Sequence, residues 1–141
     1  MESLAPLGRV YQAGTLSGNP VAVAAGMATL EVLRDSDPYA ELATKGQRLA
    51  SALDELGVSL PMHCSQMGGM FTPFFCRGPV RNVDEARAAD TVMFARFFNR
   101  MLAAGFYLTP SQFEVAFVST AHSNADIDAF VEAATEAATE P

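Results

Sequence analysis

The sequence has 141 residues, of which 50% are apolar and 18% are charged, a composition that buries a core and excludes a disordered chain. Its 9 basic and 16 acidic residues give a net charge of −7, which argues against nucleic acid or anionic lipid as partner, because both need clustered Lys and Arg. The apolar runs are too short to span a bilayer and the first residues lack the basic start of a signal peptide, so we expect a cytoplasmic protein.

Two helices are predicted in the first part of the chain. The first covers residues 20–34, with Asn19 as its N-cap and Pro20 in its first turn, where both residue types are favoured. The second is expected to be capped by Asp37 and to end at Gly57. Its apolar residues recur at steps of three and four, which is typical of a helix with one buried face.

Short strands and one long helix are predicted in the middle of the chain. Residues 58–76 change to short apolar stretches, and Pro73 in the best of them, 70–76, predicts an edge position or a bulge because proline lacks a ladder donor. A third helix is expected over residues 82–104 or 84–104. Two further strands are expected at 106–108 and 113–119.

A capping box, Ser123-Asn124-Ala125-Asp126, predicts the start of a last helix. The Ala/Thr/Glu-rich end at residues 133–141 is expected to fray. The order of elements, with helices and short strands alternating in groups, predicts an α+β fold. In it, helices cover one face of a small, mainly antiparallel sheet.

The loop over residues 14–19 is the first candidate site. Gly14 lets a backbone approach a ligand closely, Thr15 and Ser17 offer hydroxyls, and the following helix offers N–H groups, which together suit a phosphate. The loop differs from a Walker loop because no lysine follows its second glycine. The residues fit an ordinary capped turn as well, and by themselves they favour that turn.

Glu114 is the second candidate. A carboxylate in the predicted strand 113–119 could face a cleft and have a raised pKa, as catalytic carboxylates do. The alternative is a strand residue that points to water on the side opposite Val115. The residues alone favour that alternative.

The remaining polar side chains indicate no site of their own. His63 and His122 lie outside any cluster with metal-ligand spacing, and His122 is expected to make a loop hydrogen bond. Lys45, the single lysine in the sequence, is expected on the solvated face of the second helix. Cys64 and Cys76 match no zinc or redox spacing, so we expect buried thiols and no disulfide.

Ten consecutive residues carry a resemblance to a known family: Tyr11-Gln12-Ala13-Gly14-Thr15-Leu16-Ser17-Gly18-Asn19-Pro20. The sequence here closely resembles the glutamate-1-semialdehyde 2,1-aminomutases, which belong to the class III aminotransferase group of fold-type-I pyridoxal-phosphate enzymes. The likeness recurs in order at residues 21–26, 69–72, 74–75, 107–114 and 119–122, and Pro73 departs from the family pattern. The likeness covers essentially the whole chain.

The resemblance implies an isomerase that converts glutamate-1-semialdehyde to 5-aminolevulinate in tetrapyrrole (porphyrin) biosynthesis, using pyridoxal 5'-phosphate. It implies a homodimer with a small-molecule substrate. In the family, the loop that matches Gly14 and Thr15 binds the phosphate of the cofactor held by the neighbouring subunit. Glu114 aligns with a family glutamate near the active site, which implies a part in substrate handling or proton transfer.

The resemblance also implies that this chain is the C-terminal part of the enzyme. Residues 1–19 would end the large domain and carry the cofactor-phosphate loop at the dimer interface, residues 20–37 would form a connecting helix, and residues 38–141 the small domain. The family lysine that binds the cofactor covalently lies before the loop, whereas Lys45 lies after it. The chain alone is therefore expected to be inactive.

Two alternatives remain open. The chain could be a fragment of another class III aminotransferase, or a non-catalytic interaction module that kept the fold. Related aminotransferases usually have an aromatic residue or glycine where Leu16 and Ser17 stand, and many have a late arginine that grips a substrate carboxylate. No arginine follows Arg100 in this sequence, which favours the aminomutase.

Overall fold

A computed structural model describes residues 1–57 and 60–139, and the chain divides into two compact units, Met1–Asp37 and Pro38–Pro141. The first unit contains helix α1, Pro20–Ser36. The side chain of Asn19 accepts hydrogen bonds from the amides of Val21 and Ala22, at 3.0 and 3.2 Å. The predicted cap is confirmed, because Asn19 satisfies amides that the first helical turn leaves free.

Asp37 has a different role from the predicted one. It lies in the left-handed region with φ 39°, and its N–H donates to the carbonyl of Leu33 at 3.1 Å, so it ends α1. The next helix, α2, covers Tyr39–Leu56 and has no side-chain cap. The prediction that Asp37 caps this helix is wrong. Its predicted end at Gly57 is confirmed.

The second unit contains a three-stranded antiparallel sheet in the order β1-β2-β3, with β1 at His63–Met67, β2 at Met70–Phe74 and β3 at Ala116–Phe117. Val58 and Ser59, where the first predicted strand region begins, lie outside the described residues. The predicted strand at residues 106–108 is wrong, and the one at 113–119 is reduced to the two residues of β3.

Pro73 lies in the central strand, although an edge position or a bulge was expected. Strand β3 pairs only with Met70 and Phe71, so Pro73 lies beyond its end. On the other side Pro73 is paired with Cys64, whose N–H donates to Asp54 Oδ1 at 2.7 Å instead of to the ladder. The missing donor of Pro73 therefore interrupts no ladder bond, and locally the proline has the surroundings of an edge residue.

The prediction of one helix up to residue 104 is wrong. This part of the chain forms two helices, α3 at Val83–Arg87 and α4 at Thr91–Ala103. Asp90 separates them. Its side chain accepts hydrogen bonds from the amides of Val92 and Met93, at 2.9 and 3.0 Å, and its own N–H donates to the carbonyl of Phe75 at 2.9 Å. Asp90 thus caps a new helix and joins it to the end of β2.

Helix α5 covers Asn124–Thr139, and its predicted capping box is confirmed. The expectation of a frayed end is wrong up to Thr139, because this stretch is helical and packs its alanines into the core; Glu140 and Pro141 lie outside the described residues. The buried residues of its second half are Ala133, Ala134, Ala137 and Ala138.

One apolar core holds the second unit together. Helix α2 packs on β1 and β2, and α5 packs against α2 and α4. Phe130 of α5 makes edge contacts with Phe71 of β2 and with Phe106, at ring-centre distances of 6.0 and 5.5 Å. The predicted α+β fold is confirmed. Within the described ranges, none of the helices has both the length and the apolar character needed to cross a bilayer.

Candidate functional site

The loop over residues 14–19 consists of two tight turns that lead directly into α1. The amide of Ser17 donates to the carbonyl of Gly14 at 2.9 Å, and the amide of Asn19 donates to the carbonyl of Leu16 at 3.0 Å. Gly18 has φ 76°, a conformation that glycine adopts without strain. The sequence pattern of small residues thus forms a compact turn whose side chains are exposed up to Gly18.

The hydrogen-bond donors of this loop differ from those expected. Asn19 already occupies the amides of Val21 and Ala22, and proline at position 20 has none, so the start of α1 offers few free N–H groups. Among the residues that the structure describes, the amides of Thr15 and Leu16 and the hydroxyl of Thr15 make no hydrogen bond. These neutral donors are free to bind an oxyanion.

Glycine at position 14 leaves room for the side chain of Ser17. A Cβ atom at this position would overlap the Oγ atom of Ser17. The hydroxyl of Ser17 therefore lies close to the backbone of Gly14. An alanine here would displace the Ser17 side chain from that position.

Glu114 lies in a turn over residues 111–114, so its predicted place in a strand is wrong. Its amide donates to the carbonyl of Ser111 at 3.1 Å, and its carbonyl accepts from Thr72 Oγ1 at 3.3 Å. The residue itself is exposed. The main chain of Glu114 is therefore held on both sides while its carboxylate is free to meet a ligand.

Sequence reasoning missed Gln112, which is only 2% exposed. Its Nε2 group lies 3.5 Å from the carbonyl of Ala89, and its Oε1 atom has no partner among the described residues. Glutamine is rarely buried, and nothing in the surrounding sequence distinguishes it from a polar turn residue. Its burial ties the Glu114 turn to the junction between α3 and α4.

Lys45 is only 6% exposed, so the predicted solvated position is wrong. Its Nζ atom donates to the carbonyl of His122 at 2.7 Å and forms an ion pair with Glu41 at 2.5 Å. The aliphatic stem lies on the inner face of α2, and the two oxygens compensate the buried charge.

His122 makes the loop hydrogen bond that was predicted, accepting at Nδ1 from the amide of Ser119 at 2.9 Å. In the neutral ring the remaining proton is then on Nε2. His122 lines a groove of about 580 Å³ in the second unit, most of whose lining residues are apolar. Residues of this lining include Phe71, Phe106, Val115, Phe117 and Phe130.

The two cysteines are free thiols, as predicted, but the expectation that both are buried is wrong for Cys76, which is half-buried. Burial, together with the nearby Asp54 carboxylate, raises the pKa of Cys64 to about 12, so this thiol is not a nucleophile at neutral pH. His63 lies 3.2 Å from the same carboxylate. Over residues 1–57 and 60–139, no three His, Cys, Asp or Glu side chains form a group able to hold a metal ion.

The predicted site residues lie in different units. Gly14 and Thr15 belong to the first, and Glu114 belongs to the second. Each has chemistry available to a ligand: free neutral donors in the loop, and an exposed carboxylate on a fixed turn.

Comparison of the sequence with curated proteins identifies relatives that share one name. Glutamate-1-semialdehyde 2,1-aminomutase of Opitutus terrae is 50% identical over 134 residues, covering 94% of this chain and 32% of that protein. The protein of the same name from Thermus thermophilus is 49% identical, with 94% and 32% covered. The chain thus spans about a third of the length of the curated relatives that it matches. No family model matches the chain.

Solved structures show the same fold. A β-phenylalanine aminotransferase from Variovorax paradoxus superimposes with a TM-score of 0.77 at 27% identity, covering 92% of this chain and 30% of that one. An omega-transaminase from Sphaerobacter thermophilus gives 0.71 at 25% identity, with the same coverage. A transaminase with PLP bound has the same fold, with a TM-score of 0.69 at 17% identity over 95% of this chain and 31% of that one. The resemblance seen in the sequence is confirmed.

Proposed function

Because this chain matches glutamate-1-semialdehyde 2,1-aminomutases over 94% of its length, we propose that it is the C-terminal part of a pyridoxal-phosphate-dependent enzyme of that family. The complete enzyme is a cytoplasmic homodimer of the tetrapyrrole (porphyrin) pathway. It moves the amino group of glutamate-1-semialdehyde to the adjacent carbon and forms 5-aminolevulinate.

One observation carries this proposal. Seven curated relatives, all bearing the aminomutase name, are 46–50% identical to this chain over the aligned residues, which cover 93–94% of this chain in six cases and 91% in the seventh. Agreement over nearly the whole chain is far more specific than agreement at one loop. The aminotransferase structures support the fold and the cofactor class.

In this proposal, residues 1–19 are the end of the large domain and residues 38–141 form the small domain. Residues 20–37 form the helix that connects the two domains. The loop at Gly14 and Thr15 binds the phosphate of the cofactor in the neighbouring subunit. This group suits the free amides of Thr15 and Leu16 and the Thr15 hydroxyl. An ionised phosphate is a hydrogen-bond acceptor, and all three of these groups can donate to it. When bound, the cofactor supplies the electron-withdrawing ring that stabilises negative charge on the substrate carbon.

Glu114 handles the substrate in this proposal. Its carboxylate is exposed, and its main chain is fixed by Ser111 and Thr72. An ionised carboxylate accepts hydrogen bonds from an amino group, so it can hold the migrating group or take up a proton there. The fixed backbone limits where that carboxylate can reach.

Lys45 is not the lysine that binds the cofactor. Its ammonium group is buried and already contacts the His122 carbonyl and the Glu41 carboxylate. A lysine that reacts with a carbonyl must bring its Nζ atom to the ligand, and both contacts hold the Nζ atom of Lys45 where it is. The required lysine must therefore come from the part of the enzyme outside this sequence, and this chain alone is inactive.

The test is an assay of the complete protein that carries this sequence. We expect it to convert glutamate-1-semialdehyde to 5-aminolevulinate without an external amino acceptor, and the 141-residue chain to show no turnover. Transfer of the amino group to an added 2-oxo acid, without isomerisation, would instead support another class III aminotransferase. Absence of both activities and of bound cofactor would support an interaction module.

A further inference from the structure

The hydroxyl group of Thr72 joins the sheet to the turn that carries Glu114. Thr72 lies on β2 and is 7% exposed, and its Oγ1 atom donates to the Glu114 carbonyl at 3.3 Å across 42 positions of sequence. These two residues belong to separate blocks of the sequence. The contact therefore depends on how the sheet and the turn pack together.

The same turn is held at two further points. The Glu114 amide donates to the carbonyl of Ser111 at 3.1 Å, and the buried side chain of Gln112 reaches toward Ala89. The main-chain amide and carbonyl of Glu114 thus both have partners, while its side chain is exposed. Because the backbone of Glu114 is already fixed, its carboxylate can bind a ligand with little loss of conformational entropy.

The hydroxyl of Thr72 is unusual in its strand. The other buried residues of β2, Phe71, Pro73 and Phe74, are apolar. A buried hydroxyl costs free energy unless it is hydrogen-bonded, and valine would fill the same volume without that requirement. The Glu114 carbonyl is the partner that compensates the burial of this group.

We propose that Thr72 is a positioning residue for Glu114, holding its main chain so that the carboxylate stays at one place relative to the substrate. This role rests on the proposed aminomutase function of Glu114. Loss of the Thr72 hydroxyl frees the Glu114 carbonyl, and the turn then samples positions from which the carboxylate meets the substrate less often. Cofactor and substrate binding elsewhere are unaffected.

The experiment uses the complete enzyme with Thr72→Val and Thr72→Ser, and Thr44→Val as matched control. Thr44 is exposed on α2, and its hydroxyl donates to the Ala40 carbonyl of its own helix, at 2.9 Å. We expect Thr72→Val to lower kcat about tenfold with KM and cofactor content little changed, since misorientation acts on the reacting complex. Thr72→Ser keeps the hydroxyl and should retain most of the wild-type kcat. Thr44→Val should behave as wild type.

A double-mutant cycle shows whether Thr72 acts through Glu114. In a Glu114→Gln background, Thr72→Val should cause no further loss of kcat, because the carboxylate that it positions is already gone. Independent, multiplicative losses would overturn the proposal, as would an equal loss in Thr72→Ser and Thr72→Val. A wild-type enzyme that does not isomerise the semialdehyde would overturn the proposed function instead, and the role of Thr72 with it.

Discussion

The ammonium group of Lys45 donates a hydrogen bond to the backbone carbonyl of His122 at 2.7 Å, across 77 positions of sequence. The contact joins the middle of α2 to the turn before α5. Glu41, one helical turn away on α2, completes the surroundings of the buried charge. A lysine that the sequence pattern assigns to the solvated face of α2 thus links this helix to the turn before α5.

Replacing Lys45 with methionine should destabilise the chain by about 1–3 kcal/mol. Methionine keeps the apolar stem, so the loss comes from the hydrogen bond to His122 and the ion pair. The matched control is Arg48→Met, which removes an exposed cation of the same helix that pairs with Asp128. An exposed pair contributes roughly 0–1 kcal/mol, so the control should unfold nearly as wild type in urea. Equal shifts in both variants would contradict the role given to Lys45.

Replacing Thr15 with alanine in the complete enzyme should weaken cofactor binding by about tenfold, because one hydrogen bond to a charged phosphate is lost. The loss is measured as cofactor absorbance retained after dialysis at several cofactor concentrations. Thr29→Ala is the control, since the Thr29 hydroxyl bonds to the Ala25 carbonyl within α1. Unchanged affinity in Thr15→Ala would remove Thr15 from the site.

The 141-residue chain by itself should self-associate through α1. Leu33 is half-buried and the other residues of α1 are exposed, with Met27 and Leu30 at 58% and 66% exposure. Exposed apolar surface of this kind drives association in water. Leu30→Glu should shift the chain toward smaller species in light scattering, whereas Thr29→Glu, which adds the same charge at a polar position, should do so less. A monomeric wild-type chain would refute the prediction.

Asp126 should make the stability of the chain pH-dependent. Hydrogen bonds from the side chain and then the backbone of Ser123 hold the pKa of the Asp126 carboxyl below its usual value. A lowered pKa means that the folded state favours the charged form. The stabilisation is therefore present above the ordinary carboxyl pKa and is lost as the pH falls through the lowered one.

The check is the melting temperature of Asp126→Ala relative to wild type. The difference should be largest at neutral pH and should shrink as the pH falls through the lowered pKa of the Asp126 carboxyl. Glu132→Ala, at an exposed position of the same helix, serves as control and should show a smaller difference. A difference that stays constant with pH would show that the cap acts without its charge.

The sequence by itself determined those features that depend on neighbouring residues. The caps at Asn19 and Ser123 are correct because each side chain bonds to amides two or three positions away, and no distant partner is needed. The end of α2 at Gly57 is local in the same sense. The family resemblance was also visible in the sequence motifs alone.

Only the tertiary structure decided the features whose partners lie far along the chain. Asp90 begins a new helix where its amide meets the Phe75 carbonyl. Lys45 is buried because His122 offers a carbonyl to it, and the Glu114 turn replaces a strand where Thr72 donates to it. Local patterns describe what a side chain can bond to, whereas the choice of partner depends on which elements the core brings together.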